Sequence, residues 1–96
     1  MKPEQEIEDY LVKRVTELGC YCIKQNANLV AGIPDELILC LDGTHHFVEL
    51  KNADGKLSNA QVKTQERLRK MHHSVYTLWS TEDVDEFVDK VILYRS

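Results

Sequence analysis

GIPDELILCLDGTHHFVELK, residues 32–51, reads as two strands joined by a tight turn. Residues 36–41, ELILCL, are apolar on both faces after Glu36, the pattern of a central strand covered on both sides. Asp42-Gly43 is a hairpin turn signal, and residues 46–51 form the return strand. Side chains alternate along a strand, so Glu49 and Lys51 share one face while Val48 and Leu50 share the other. A three-residue turn with Gly43 in the left-handed position pairs Cys40 with Thr44 and sets Asp35 opposite Glu49. Their Cβ atoms would then lie about 5 Å apart on one face. A two-residue turn sets Glu36 opposite Glu49 instead, and the sequence leaves both registers open.

Around this hairpin the chain is punctuated regularly. Pro3, Glu4 and Glu6 suit a first helical turn, Ile7, Tyr10, Leu11, Val15 and Leu18 recur at helical spacing, and Gly19 stops the helix. Residues 20–25 read as a short strand and 26–34 as a loop. A polar loop over 52–57 leads to a second helix from Ser58 to about His72, then a strand over 75–79. Ser80 or Thr81 caps a third helix whose Val84, Phe87, Val88, Val91 and Ile92 form an apolar face. The predicted order is αβββαβα, an α/β fold with a mixed sheet flanked by helices, in one domain over residues 1–96.

Composition narrows the function. Apolar residues at 43% and charged residues at 29% suit a globular domain rather than a disordered one. The net charge of −4 argues against a protein held to nucleic acid by bulk charge alone. It leaves room for a nuclease, because metal-binding carboxylates count as negative until the ion is bound. No apolar run approaches the ~20 residues of a membrane span, and no signal-peptide pattern opens the sequence. Three cysteines, an odd number in apolar surroundings, point to free thiols in a reducing intracellular compartment.

Asp35 and Glu49 on one strand pair would repel unless a divalent cation lay between them. With the backbone carbonyl of Leu50 they offer oxygen ligands that suit Mg²⁺ or Mn²⁺. Lys51 beside them could orient a water and balance developing charge. That set suits metal-assisted phosphodiester hydrolysis.

These residues carry a family resemblance. GIPD followed by FVELK resembles the PD-(D/E)XK nucleases, and GIPDELILCLDGTHHFVELKNADGKLSNAQ resembles the virus-type replication-repair nuclease domain, VRR-NUC. The resemblance implies a restriction-endonuclease-like core similar to Holliday-junction resolvases. It implies Mg²⁺- or Mn²⁺-dependent endonuclease activity on structured DNA, and a place in DNA repair in the cytoplasm of a bacterial or phage-infected cell. Asp35, Glu49 and Lys51 match the family's catalytic residues, Glu8 its metal-proximal first-helix glutamate, and Gln61 the glutamine after its Leu-Ser pair. Two positions depart from it. Glu36 stands where an apolar residue is usual, and His72-His73-Ser74 where a glycine often ends the second helix.

Several residues admit two readings. Ser58-Asn59-Ala60-Gln61 is a capping box, which competes with an active-site role for Gln61. Lys51 could pair with Glu49 as an ordinary salt bridge, but the flanking Asp35 favours catalysis. Lys63, Arg67 and Lys70, with Lys56 before them, form either a solvated helix face or a phosphate-contacting stripe. Cys20 and Cys22 with Cys40 and the four histidines do not have zinc-ligand spacing. At this size one subunit covers little duplex, and a homodimer would present two sites to a branched or four-way DNA. The alternative from another class is a non-catalytic nucleic-acid-binding module on the same fold.

Overall fold

The protein is described over residues 3–93 by a computed structural model. Helix α1 (Glu4–Glu17) is followed by strands β1 (Tyr21–Lys24), β2 (Glu36–Leu39) and β3 (His45–Leu50). Helix α2 (Asn59–Lys70), strand β4 (Val75–Leu78) and helix α3 (Thr81–Phe87) complete the predicted αβββαβα order. α3 runs on as a π-helical turn, Val88–Leu93. The sheet order is β1-β2-β3-β4, antiparallel except for the parallel β3–β4 pair. Among the described residues no helix is long and apolar enough to cross a membrane.

One sheet face is covered over β2, β3 and β4. Ile7, Leu11 and Val15, four residues apart on α1, bury completely against Ile38, Val48 and Leu50 of the sheet and Val84 and Val88 of the C-terminal helix. Each such side chain contributes about 1.5–3 kcal/mol of burial. A polar clasp closes the layer, with the Tyr10 hydroxyl donating to Asp85 at 2.6 Å and Arg14 paired to the same carboxylate.

The other face is covered only in part, which corrects the expectation that the ELIL strand is enclosed on both sides. β2 is central in strand order, but only Glu36 and Ile38 are buried, while Leu37 and Leu39 remain half-buried. The reason is the position of α2. It packs over β4, where Gln65 bonds to Thr77, and leaves the β1–β2 half of that face open.

α2 ends in a left-handed residue that is not glycine. His72 has φ 68, and the amides of His72 and His73 close the helix on Arg69 and Leu68 carbonyls. A side chain there costs roughly 1–2 kcal/mol. His72→Gly is therefore expected to raise the melting temperature by roughly 4–16 °C. An unchanged or lower value in a thermal melt would mean that the exposed imidazole makes contacts worth at least that cost.

Candidate active site

The turn decides which acid meets which. Cys40 N–H donates to the Thr44 carbonyl at 2.9 Å, Leu39 pairs with His45, and Glu36 pairs with Val48. Gly43 takes φ 88, so the turn is the three-residue kind. One step further out, Asp35 stands opposite Glu49, on the face that α2 overlooks. Glu36 points through the sheet to α1, where it is 2% exposed and accepts from the Cys22 thiol at 3.6 Å. Burial first, then the neighbouring Glu8, push the Glu36 carboxyl up to about 7. The extra acid beside Asp35 is thus on the opposite face from Glu49.

Glu49 is the unusual group. It is 1% exposed, and its Oε1 is buried with no hydrogen-bond partner among the described residues. Its Oε2 accepts from Gln61 Nε2 at 3.2 Å. Burial, and then the Asp35 carboxyl beside it, push Glu49 up to about 8, with Lys51 opposing the shift. Asp35 Oδ2 accepts the Leu50 N–H at 2.9 Å, which fixes the Asp35 side chain to the strand that carries Glu49. Lys51 only partly offsets a buried carboxylate with an orphaned oxygen next to a second carboxylate, and a hard cation with oxygen ligands fits the remaining deficit.

Gln61 caps α2 and also contacts Glu49. Its Oε1 accepts Ser58 N–H at 2.8 Å and its own N–H donates to Ser58 Oγ at 3.1 Å, completing the capping box. Its Nε2 is left to hold Glu49. Gln61→Ala should cost about 0.5–2 kcal/mol of stability and also lower cleavage per folded molecule. Gln61→Glu keeps an acceptor for Ser58 but faces Glu49 with another carboxylate, so it should recover much of the stability and none of the cleavage. Melting and cleavage on the same preparations decide this. If Gln61→Glu cleaves normally, Gln61 only caps.

The loop before Asp35 is clamped to the same helix. Thr64 Oγ1 donates to the Ala31 carbonyl at 2.7 Å, and Pro34 is fully buried. Gly32 lies against the Ala60–Gln61 peptide. The first turn of α2 therefore touches both the GIPD loop and Glu49.

Other predicted residues fall around this centre. Lys51 is half-buried, with its stem beside Gly55 and its charge acting on Glu49. Glu8 is bonded to Lys24 at 3.0 Å and to Glu36, and its carboxyl is lowered chiefly by the Glu36 bond. It is not drawn into one cluster with Asp35 and Glu49. Among the described residues no three His, Cys, Asp or Glu side chains converge as a metal-binding group. Lys56, Lys63, Arg67 and Lys70 are all exposed. Two residues escaped the sequence reading. Glu4, one turn before Glu8, is the first-helix acid whose charge acts on Glu49. Gln65, one turn after Gln61, is buried and donates to Thr77, the β4 partner of Glu49. Spacing of i, i+4 from a candidate site residue is the signal that could have found both.

Against known proteins, this arrangement of elements has a close counterpart. A solved structure described as a VRR_NUC domain superposes with a TM-score of 0.85 and 28% sequence identity, covering 92% of this chain and 96% of that one. The chain has the fold of a VRR-NUC domain. No family model and no curated protein matches it by sequence. The mixed four-stranded sheet with flanking helices is accordingly a PD-(D/E)XK-like α/β fold, similar to that VRR_NUC domain.

Proposed function

We propose that this VRR-NUC-like domain is a Mg²⁺- or Mn²⁺-dependent endodeoxyribonuclease that hydrolyses phosphodiester bonds. The observation that carries the reading is the buried, half-satisfied Glu49 beside Asp35. Asp35, Glu49 and the Leu50 carbonyl would hold the ion. When bound, it supplies a polarised phosphate and a water acidified towards neutral pH. Asp35 is held by the Leu50 N–H and Glu49 by Gln61, so both carboxylates are positioned by bonds to the scaffold. Lys51 places a positive charge at the mouth of the site, where negative charge grows on the phosphate. Glu8 would have to exchange Lys24 and Glu36 for the ion before it could join the ligand set.

The substrate reading follows from the surface. Lys63 to Lys70 spans about 10 Å of one helix, enough for a few phosphate contacts, and that helix begins at the site. The open sheet face carries Tyr21 and Ile23 at 74% and 43% exposure beside half-buried Leu37 and Leu39. A groove of about 480 Å³ lined by Val30, Ile33, Leu68 and Met71 adds apolar surface between the GIPD loop and α2. An apolar face of this kind suits a second copy of the chain. A standard interface takes about 800 Å² per partner, roughly an eighth of this molecule's 6067 Å². Two copies would carry two sites and two basic stripes to the arms of a branched or four-way DNA.

Labelled linear, flapped and four-way DNA incubated with and without Mg²⁺ or Mn²⁺ tests the reading, alongside light scattering. Cleavage only with metal, strongest on branched DNA, and a dimer mass are expected. Lys63→Glu with Lys70→Glu should weaken DNA binding and its salt dependence while leaving the metal response intact. A monomer that cuts linear and four-way DNA equally would end the junction reading. No cleavage of any DNA with either metal would end the nuclease reading.

A further inference from the structure

At the far end of β3 from Glu49, the fold brings together two histidines that lie 28 positions apart in sequence. His45 starts β3, and His73 sits in the turn between α2 and β4. Their facing ring nitrogens, His45 Nε2 and His73 Nδ1, are 3.3 Å apart. Both rings pack edgewise on Phe47, at 6.3 and 5.8 Å between centroids. The pair lines an opening of about 240 Å³, with Thr44, His72 and Ser74 around it.

We propose that His45 and His73 form a second metal site, one that takes a borderline-soft divalent cation of the Zn²⁺ class. Zinc binds imidazole nitrogen at about 2.0–2.1 Å in tetrahedral geometry, which separates two such nitrogens by roughly 3.3–3.4 Å. The pair already stands at that separation. In the metal-free protein one ring donates its N–H to the other. Binding needs a lone pair on both facing nitrogens, so the donor ring moves its proton to its outer nitrogen. Neither ring changes charge, and waters fill the remaining positions. The Phe47 ring holds both imidazoles in place, which reduces the ordering cost of binding. Asp35 and Glu49 offer oxygen to a hard ion, whereas this pair offers only nitrogen, so the two sites sort metals by ligand chemistry. The ion would tie the start of β3 to the α2–β4 turn.

Zn²⁺ also binds carboxylates, so the test removes the first site. In Asp35→Asn/Glu49→Gln protein, ZnCl₂ is expected to raise the melting temperature and to bind one ion per chain by calorimetry. Adding His45→Gln or His73→Gln should weaken that binding by at least about tenfold, since even an outer-sphere partner is worth 10–100-fold. Mg²⁺ should give no shift in the same background. Co²⁺ should develop a tetrahedral visible spectrum that either glutamine variant abolishes. With the carboxylates intact, His45→Gln should leave Mg²⁺-dependent cleavage unchanged. Failure of cleavage in the unmodified chain would touch the nuclease reading and not this one. Zn²⁺ binding that is absent, or that survives both glutamine variants undiminished, overturns the proposal.

Discussion

Glu49→Gln should lower metal-dependent cleavage by roughly 10²-fold or more while making the metal-free protein more stable at alkaline pH. The two effects have one origin. Glu49 is buried beside Asp35 with an oxygen that has no partner among the described residues, and its carboxyl is pushed up to about 8 from an ordinary carboxylate value. A folded-state value raised above the unfolded one means that the native state holds the proton more tightly. Stability from this group is fully present below the unfolded value, is lost as pH rises, and is gone above about 8. Glu36, pushed up to about 7 on the opposite face, adds to the decline over a lower range. The neutral amide of the variant cannot ionise, so the variant should keep stability that the parent loses between about pH 5 and 8. Metal reverses the parent's penalty, because the ion takes the place of the proton. Binding of Mn²⁺ at about pH 7 should therefore release protons, and affinity should rise with pH until about 8. Calorimetry in buffers of different ionisation enthalpy reads that release directly. A Glu49→Gln protein that cleaves at the parental rate would remove Glu49 from the site.

Most of this was legible in the sequence because it rests on strand alternation and one turn. Asp42-Gly43 and the period of two brought Asp35 to Glu49, and only the turn length was open. Backbone geometry closes it: Gly43 at φ 88 adds the residue that turns Glu36 to the other face. The double role of Gln61 was not legible. A capping box and an active-site contact look like rivals in one dimension, and they coexist because an amide has two ends. The incomplete cover on β2 was hidden for a different reason. An apolar strand has the same pattern whether a helix or a second copy covers its outer face. The meeting of His45 and His73 was invisible because no spacing rule connects residues that come together only through β3–β4 pairing and a helix-ending turn.

Gly32→Ala should be among the most damaging single substitutions in the chain, though it removes no functional group. Gly32 takes φ 76, where a side chain costs roughly 1–2 kcal/mol. A Cβ there would also lie 2.2 Å from the Ala60 carbonyl oxygen and 2.7 Å from Gln61 N, both backbone atoms. Neither partner can yield alone. The loop is tied to α2 through Thr64 and the Ala31 carbonyl, and α2 is tied to the site through Gln61 and Glu49. Overpacking adds about 1–3 kcal/mol, so the total loss is about 2–5 kcal/mol, or roughly 8–40 °C in melting temperature. Gly43 supplies the control. It has a similar φ of 88 but nothing within 4 Å of its would-be Cβ, so Gly43→Ala bears the conformational cost without the clash. The difference between the two variants in a thermal melt isolates the crowding at Gly32. Cleavage should separate them further, since relief of the clash must move either Asp35 or the helix that holds Glu49. At a temperature where both variants are folded, Gly43→Ala should cleave close to the parental rate and Gly32→Ala far below it. Equal losses in both would show that the close approach of the GIPD loop to α2 does not position the site.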